Sequence, residues 1–338
     1  MQTNIAGLRV TGIAAALPQN RLDLLSLSTQ FGEAEVRRII AGTGIHAIRV
    51  ARHKQRASDL CAAAAIQLFS SLNISPDSID GIIFVSQTSD AALPATSVIL
   101  QDRLSLPTTS VAFDINYGCS GYIYGLYQAA MLLIAGGCSR VLLCVGDVIT
   151  PILDPEDRAV RMVFGDAGSA TLIEKGEDTF SFILRSDGSG AESLHAGWHP
   201  TDYNGIVNKS NYLSMDGSAI MEFALREVPL CVQETLNLQG WDKSSLDVCI
   251  LHQANQFMLN YLRKKMDIPK ELVPIALSEI GNTGSASIPL TLSLKHEELR
   301  SKSTLNRSIL CGFGVGLSWG AVGLNLSKTS LIPVIDVV

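Results

Sequence analysis

A spacing that recurs within the chain constrains its fold more than any other feature. Asp80-Gly-Ile-Ile-Phe-Val-Ser-Gln-Thr matches Asp247-Val-Cys-Ile-Leu-His-Gln-Ala in pattern, and Arg140-Val-Leu-Leu-Cys-Val-Gly matches Arg307-Ser-Ile-Leu-Cys-Gly-Phe-Gly. Arg140 follows Asp80 by the same 60 positions that separate Arg307 from Asp247. Short apolar runs bounded by turn residues are buried strands. Each pair brackets a glycine-flanked helix start, Gly118-Cys119 in the first and Gly281-Asn282 in the second. A duplicated strand–helix–strand unit accounts for this, with two α/β halves packed about a pseudo-twofold axis. A chain of 338 residues, 47% hydrophobic and 17% charged, is long enough for two halves sharing a large core. The boundary is expected between residues 1–175 and 176–338.

Local patterning fills in the elements. Residues 8–16 read as a strand and 22–40 as one helix with Glu33, Glu35, Arg37 and Arg38 on its solvent face. Ser58-Asp59 reads as the cap of an Ala-rich helix running to about residue 71. Residues 81–86, 111–115, 140–145 and 247–251 read as strands. Helical stretches are expected over 95–104, 120–135, 218–236 and 256–266. Residues 178–187 look like a strand opening the second half. The stretch 188–211 has little periodicity and many Gly, His, Trp and Asn residues, and a long irregular segment in a compact domain is often functional.

Composition excludes several roles. A net charge of −6 provides no basic field for nucleic acid. The seven cysteines are odd in number, lack zinc-type spacing and mostly lie in apolar runs, which suits a reducing cytoplasm. The first residues lack a charged segment followed by an apolar one, so no signal peptide is expected. The longest apolar runs are too short or too interrupted by glycine to span a bilayer. Nothing calls for a metal or cofactor.

Chemistry concentrates at three places. Asp114-Ile115-Asn116-Tyr117-Gly118-Cys119-Ser120-Gly121-Tyr122 closes a strand and opens a helix. A cysteine there faces unpaired helix amides and a positive dipole end, both of which favour a thiolate. Small neighbours let backbone and ligand approach closely. His252 ends the strand 248–251, and Asn282 begins Gly281-Asn282-Thr283-Gly284-Ser285-Ala286-Ser287-Ile288-Pro289. In facing halves all three sit at carboxyl ends of strands, where open α/β sheets bind ligands. Taken singly, these are equally a buried structural cysteine, a satisfied histidine and a plain turn. Their joint occurrence with a repeat marks Cys119 as a nucleophile. Two basic groups stand apart: Arg49, Arg52, His53, Lys54 and Arg56, then Arg263, Lys264 and Lys265 with Lys270 beyond. Each is either a solvated surface or a dock for phosphate or an acidic carrier.

On these residues the chain resembles the ketoacyl-ACP synthase III family of the thiolase superfamily. The matching segments run in order across almost the whole chain: Tyr117-Gly118-Cys119-Ser120-Gly121, Val163-Phe164-Gly165-Asp166-Ala167-Gly168, Met215-Asp216-Gly217, Leu251-His252-Gln253-Ala254-Asn255, Gly281-Asn282-Thr283 with Ala286-Ser287-Ile288-Pro289, and Gly312-Phe313-Gly314 with Trp319-Gly320. The resemblance implies a five-layer αβαβα thiolase fold, a homodimer and the triad Cys119, His252 and Asn282. It implies transfer of an acyl group from acyl-CoA or an acyl carrier protein onto Cys119, then condensation with malonyl-ACP or a related acceptor. Backbone N–H groups of Cys119 and of the Gly314-Val315-Gly316 turn would form the oxyanion hole. Phe313 would pack near the triad, and Asn255 with the basic residues would serve carrier or CoA docking.

The chain departs from the family pattern at several positions. Where the family places a Trp and an Arg that clasp coenzyme A, Arg38 and Gly42 stand. Gln256-Phe257 follows the His-Gln-Ala-Asn stretch where an Arg is usual, and Val315 replaces a glycine. Leu93, before Pro94, replaces the aromatic residue that caps the partner subunit's acyl pocket. These changes point away from acetyl-CoA priming and toward a longer or bulkier acyl group, as in a secondary metabolite. Two other readings stay open: an acyltransferase forming an ester or amide from acyl-Cys119, and a non-catalytic partner in a heterodimer.

Overall fold

The computed structural model describes residues 1–197 and 211–338. In chain order the strands are β1 (Gln2–Pro18), β2 (Arg21–Asp23), β3 (Ala47–Arg49), β4 (Gly81–Val85), β5 (Val111–Ile115), β6 (Arg140–Asp147), β7 (Ala167–Ser186), β8 (Leu194–His195), β9 (Ser214–Met215), β10 (Val248–Leu251), β11 (Ser308–Gly314), β12 (Ser318–Leu324), β13 (Ser330–Leu331) and β14 (Ile335–Val337). The helices are α1 (Ser28–Phe31), α2 (Glu33–Thr43), α3 (Ala57–Leu72), α4 (Thr96–Arg103), α5 (Gly121–Ile134), α6 (Arg158–Arg161), α7 (Gly217–Gln239), α8 (Gln256–Met266), α9 (Ser287–Leu294) and α10 (His296–Lys302).

The repeat is real at the level of single hydrogen bonds. β4 runs parallel to β6, which is antiparallel to the start of β7; β10 runs parallel to β11, which is antiparallel to β12. Asp80 N–H donates to the Arg140 carbonyl at 3.0 Å, and Asp80 Oδ2 accepts from Arg140 N–H at 3.0 Å. Asp247 N–H donates to the Arg307 carbonyl at 3.0 Å, and Asp247 Oδ2 accepts from Arg307 N–H at 3.1 Å. Each aspartate thus pins the start of one strand to the start of its parallel neighbour.

Side-chain alternation along the strands generates the layers. Leu142 and Cys144 of β6 face α3 and its neighbours, where Leu60, Ala64 and Leu68 form one core. Val141, Leu143 and Val145 face the other way, onto Ile123, Leu126 and Ala130 of α5. The same central core takes Val248 and Ile250 of β10, Leu310 of β11, and Ile288 and Leu292 of α9. Cys249, Leu251, Ile309 and Cys311 point outward to Phe223, Val228, Leu259 and Leu262 of α7 and α8. The order is helix, sheet, helix, sheet, helix, with α5 and α9 both feeding the central core and β7 joining the strands of the two halves into one ten-stranded sheet.

Three expectations need correction. Residues 22–40 are not one helix: β2, a 3-10 turn over Leu24–Leu27, α1 and α2 share them. Asp23 caps the 3-10 turn, and Gly32 at φ 84° separates α1 from α2. Ser58 and Asp59 lie inside the first turn of α3 rather than before it, with Asp59 Oδ2 accepting from Arg56 N–H at 2.7 Å. The strand expected over 178–187 is the end of β7, which runs unbroken through positions 175 and 176. β7 serves both halves, pairing with β6 and β1 and, at its far end, with β12. Of the irregular stretch 188–211, residues 188–195 hold a 3-10 turn and β8, while 198–210 lie outside the described residues.

Candidate active site

Cys119 sits just before α5, buried at 5% exposure. The backbone N–H groups of Val315 and of Cys119 itself lie near its sulfur and favour the thiolate. Close approach of this turn depends on glycine. A Cβ on Gly314, which has φ 152°, would lie 2.8 Å from both Cβ and Sγ of Cys119. A Cβ on Gly118 would lie 2.5 Å from both Gln87 Oε1 and Val315 Cγ1. The Val315 side chain therefore occupies space that the bare Gly118 leaves.

The sequence led to the expectation of a depressed thiol pKa, and the structure overturns it. Burial pushes the Cys119 thiol up to about 11; the Val315 N–H opposes this, and the Asp147 carboxylate adds to the rise. A helix terminus contributes about 0.3–1 kcal/mol to a nearby charge. Removing a thiolate from water outweighs that.

His252 follows β10, and Asn282 precedes the turn into α9. Both are buried, at 2% and 5% exposure. Asn282 is fixed through its backbone: its N–H donates to the Val163 carbonyl at 2.8 Å and its carbonyl accepts from Gly165 N–H at 3.0 Å. Its Oδ1 accepts from Gly284 N–H at 3.0 Å. His252 Nδ1 lies 2.7 Å from Ser287 Oγ. Burial drives the imidazole pKa down to about 3, opposed by a backbone hydrogen bond with Gly284. The ring is therefore neutral at pH 7. Phe313 stands edge-on to it, with centroids 5.5 Å apart at 87°. Phe313 and Gly314 are adjacent on β11 and face opposite sides, one touching His252 and the other Cys119. His252 and Asn282 in turn meet at Gly284.

The remaining predicted residues are scattered in role. Asn255 caps α8, its Oδ1 accepting from Met258 N–H at 2.8 Å. Arg49 is committed to Asp336 and the Pro18 carbonyl, both at 2.8 Å, and is not an open docking group. Arg52, Arg56, Lys264 and Lys265 are exposed; Arg263 is half-buried. Leu93 is 86% exposed. Sequence reasoning passed over Asp147, which ends β6, and Ser287. Asp147 lies just past the run read as a strand over 140–145 and Ser287 within the stretch beginning at Gly281, and neither residue type distinguishes support from function.

Five layers with a cysteine at the head of one central helix and an asparagine ahead of the other define a thiolase-superfamily fold. The chain belongs to the 3-oxoacyl-[acyl-carrier-protein (ACP)] synthase III family, whose members are condensing acyltransferases. Residues 113–188 match the family's profile of that name, and residues 236–326 match the profile of its C-terminal part. A beta-ketoacyl-[acyl-carrier-protein] synthase III of Trichodesmium erythraeum is 34% identical, over 95% of this chain and 98% of the relative. Its namesake from Lactococcus lactis is 32% identical over 94% and 99%. The crystal structure of a 3-oxoacyl-(acyl-carrier protein) synthase from Burkholderia xenovorans superposes with a TM-score of 0.93, at 38% identity, covering 100% of this chain and 99% of that one.

Proposed function

We propose that the protein is a decarboxylating condensing enzyme with Cys119 as nucleophile and His252 and Asn282 as enolate stabilisers. One observation carries the reading most directly: the Gly314–Gly316 turn closes on Cys119, a Cβ on Gly314 lying only 2.8 Å from Sγ, and the N–H groups of Val315 and Cys119 near that sulfur favour negative charge there. A carbonyl carbon bonded to that sulfur has its oxygen beside two donors, each typically worth about 3 kcal/mol at the transition state.

In the first half-reaction Sγ bonds to the carbonyl carbon of an acyl thioester. The carrier sulfur departs with the cysteine's proton, so the thiol need not ionise beforehand. In the second, the carbon–carbon bond to the carboxylate of a malonyl-type thioester breaks. Carbon dioxide leaves, and its electron pair forms an enolate. His252, neutral, and Asn282 donate hydrogen bonds to the enolate oxygen. The enolate carbon attacks the acyl carbonyl, the Cys119 sulfur leaves, and a proton from solvent restores the thiol. Phe313, itself 1% exposed, shields His252 from water.

The donor acyl group is longer or bulkier than acetyl. Arg38, in place of a nucleotide-stacking Trp, is drawn to Glu35 at 2.6 Å, which also holds Arg158 at 2.9 Å. Leu93 is a smaller cap than an aromatic ring. Its exposure fits a homodimer in which it reaches the partner's pocket. β5 supports that assembly: it is the end strand of its sheet and carries Val111 at 41% exposure, and such an open apolar edge invites a second strand. An acidic carrier protein suits the outer face of α8, where Phe257 and Tyr261 are exposed beside Lys264. Seven unpaired cysteines suit a reducing cytoplasm, and no helix among the described residues is long and apolar enough to cross a membrane.

Carbon dioxide release tests the proposal. Protein acylated on Cys119 and mixed with a malonyl thioester should release one equivalent and yield a 3-oxoacyl thioester. Acyl transfer to a hydroxyl or amine acceptor with no carbon dioxide released would replace condensation with ester or amide formation.

A further inference from the structure

Asp147 ends β6 in the half that supplies Cys119, and it is fully buried. Its Oδ1 accepts from Gln87 N–H at 2.9 Å and from the Ser86 and Thr88 hydroxyls at 3.2 and 3.4 Å. Its Oδ2 reaches into the other half, accepting from Ser285 N–H at 3.0 Å and the Ser285 hydroxyl at 2.6 Å. Those hydrogen-bond partners are all neutral donors. Burying a carboxylate without a cation is costly, so the position demands a reason.

The reason lies one residue away. Ser285 belongs to the 3-10 turn Gly284–Ala286. The Gly284 N–H of that turn donates to Asn282 Oδ1, which leaves the carboxamide NH₂ as the end free to donate. The turn runs directly into Ser287, whose hydroxyl holds His252 Nδ1. The fit has no slack: a Cβ on Gly284 would lie 2.6 Å from Asp147 Oδ2. On the near side, Gln87, anchored by Asp147 through its N–H, presents Oε1 to Gly118 beside Cys119.

We propose that Asp147 is a positioning residue, reaching from the cysteine-bearing half to hold the Gly284–Ser287 turn so that Asn282 and His252 aim at an enolate above Cys119. It touches no substrate and acts on Asn282 and His252 through that turn; its charge also adds to the rise in the Cys119 thiol, so removing that charge does not hinder acylation. This rests on the condensing reading given above, and it makes the two chemical steps separable. Acylation of Cys119 uses the amides of Cys119 and Val315, which Asp147 does not hold; decarboxylation uses the groups it does hold.

The test measures both steps in Asp147→Asn, which keeps the size and one carbonyl acceptor but sets an NH₂ against a donor. Decarboxylation should fall about 100-fold, the cost of an ångström-scale misplacement, while Cys119 acylation falls far less. Ser285→Ala keeps the buried carboxylate and its bond to the Ser285 N–H, so it stands in if the Asn variant fails to fold. It should lose about 10-fold in decarboxylation alone, through one missing charge-assisted hydrogen bond. Equal losses in both steps, in variants with native melting behaviour, would reduce Asp147 to a structural residue and overturn the proposal. Unchanged decarboxylation would overturn it too. A wild type that releases no carbon dioxide refutes the functional reading and this assignment together; a decarboxylating wild type with an equally active Asn variant refutes the assignment alone.

Discussion

The raised thiol of Cys119 gives a prediction that needs no knowledge of the substrate. A thiol with a pKa of about 11 is about 0.01% thiolate at pH 7, whereas an ordinary cysteine near 8.5 is about 3% thiolate. Cys119 in the free enzyme should therefore react with iodoacetamide about 300-fold more slowly at pH 7 than a model thiol, before any steric cost of its burial. The rate should climb about tenfold per pH unit, with no plateau below pH 10. The sign follows from burial: desolvation disfavours the charged form, so alkali is needed to expose it. Intact-protein mass spectrometry follows the reaction, with Cys119→Ala reporting any contribution from the six other buried cysteines. A plateau below pH 8 would refute the reasoning and restore the helix terminus as the dominant influence.

Three further outcomes follow from the geometry. Gly314→Ala should abolish acylation, because the new methyl lies 2.8 Å from the Cys119 sulfur at a backbone angle that L-residues rarely adopt; an acylating Ala variant would show that this turn yields. Between pH 6.5 and 4, wild type should lose up to about 3 kcal/mol of stability relative to His252→Asn in urea titrations. The unfolded imidazole takes up a proton near 6.5 that the folded one refuses until about 3, so this stability is present above 6.5 and lost as pH falls; parallel curves would contradict a buried neutral ring. On the proposed homodimer through β5, wild type should scatter light as a dimer and Val111→Lys as a monomer; a monomeric wild type would refute the dimer, and a dimeric variant would place the interface away from this edge.

The duplicated half was legible because strand period and turn residues are local signals, and Asp80 and Asp247 do the same job in both copies. Cys119 and His252 do follow strands, as their motifs suggested, but Asn282 does not: it makes only an isolated bridge with Phe164 before the turn into α9. What failed was anything set by tertiary context. The strand expected to open the second half at residue 178 is the tail of β7, which continues through positions 175–178 because the bulge around Gly7 of β1 takes up the register shift. Gly32 breaks a helix that its neighbours' periodicity supports. Cys119 looked activated because its helix is visible in sequence and its burial is not. Asp147, just past the strand read over 140–145, was passed over, since nothing local reveals that its carboxylate crosses to Ser285, 138 positions away.

The central claim is that an acyl group travels through the sulfur of Cys119. Incubating the protein with acyl thioesters of increasing chain length and weighing it intact, alongside Cys119→Ala, tests this most directly. The account predicts a gain of one acyl mass on the peptide containing Cys119, strongest for chains longer than acetyl and absent from the Ala variant. Acyl mass retained by Cys119→Ala, or no adduct on the wild type with any donor, would contradict it.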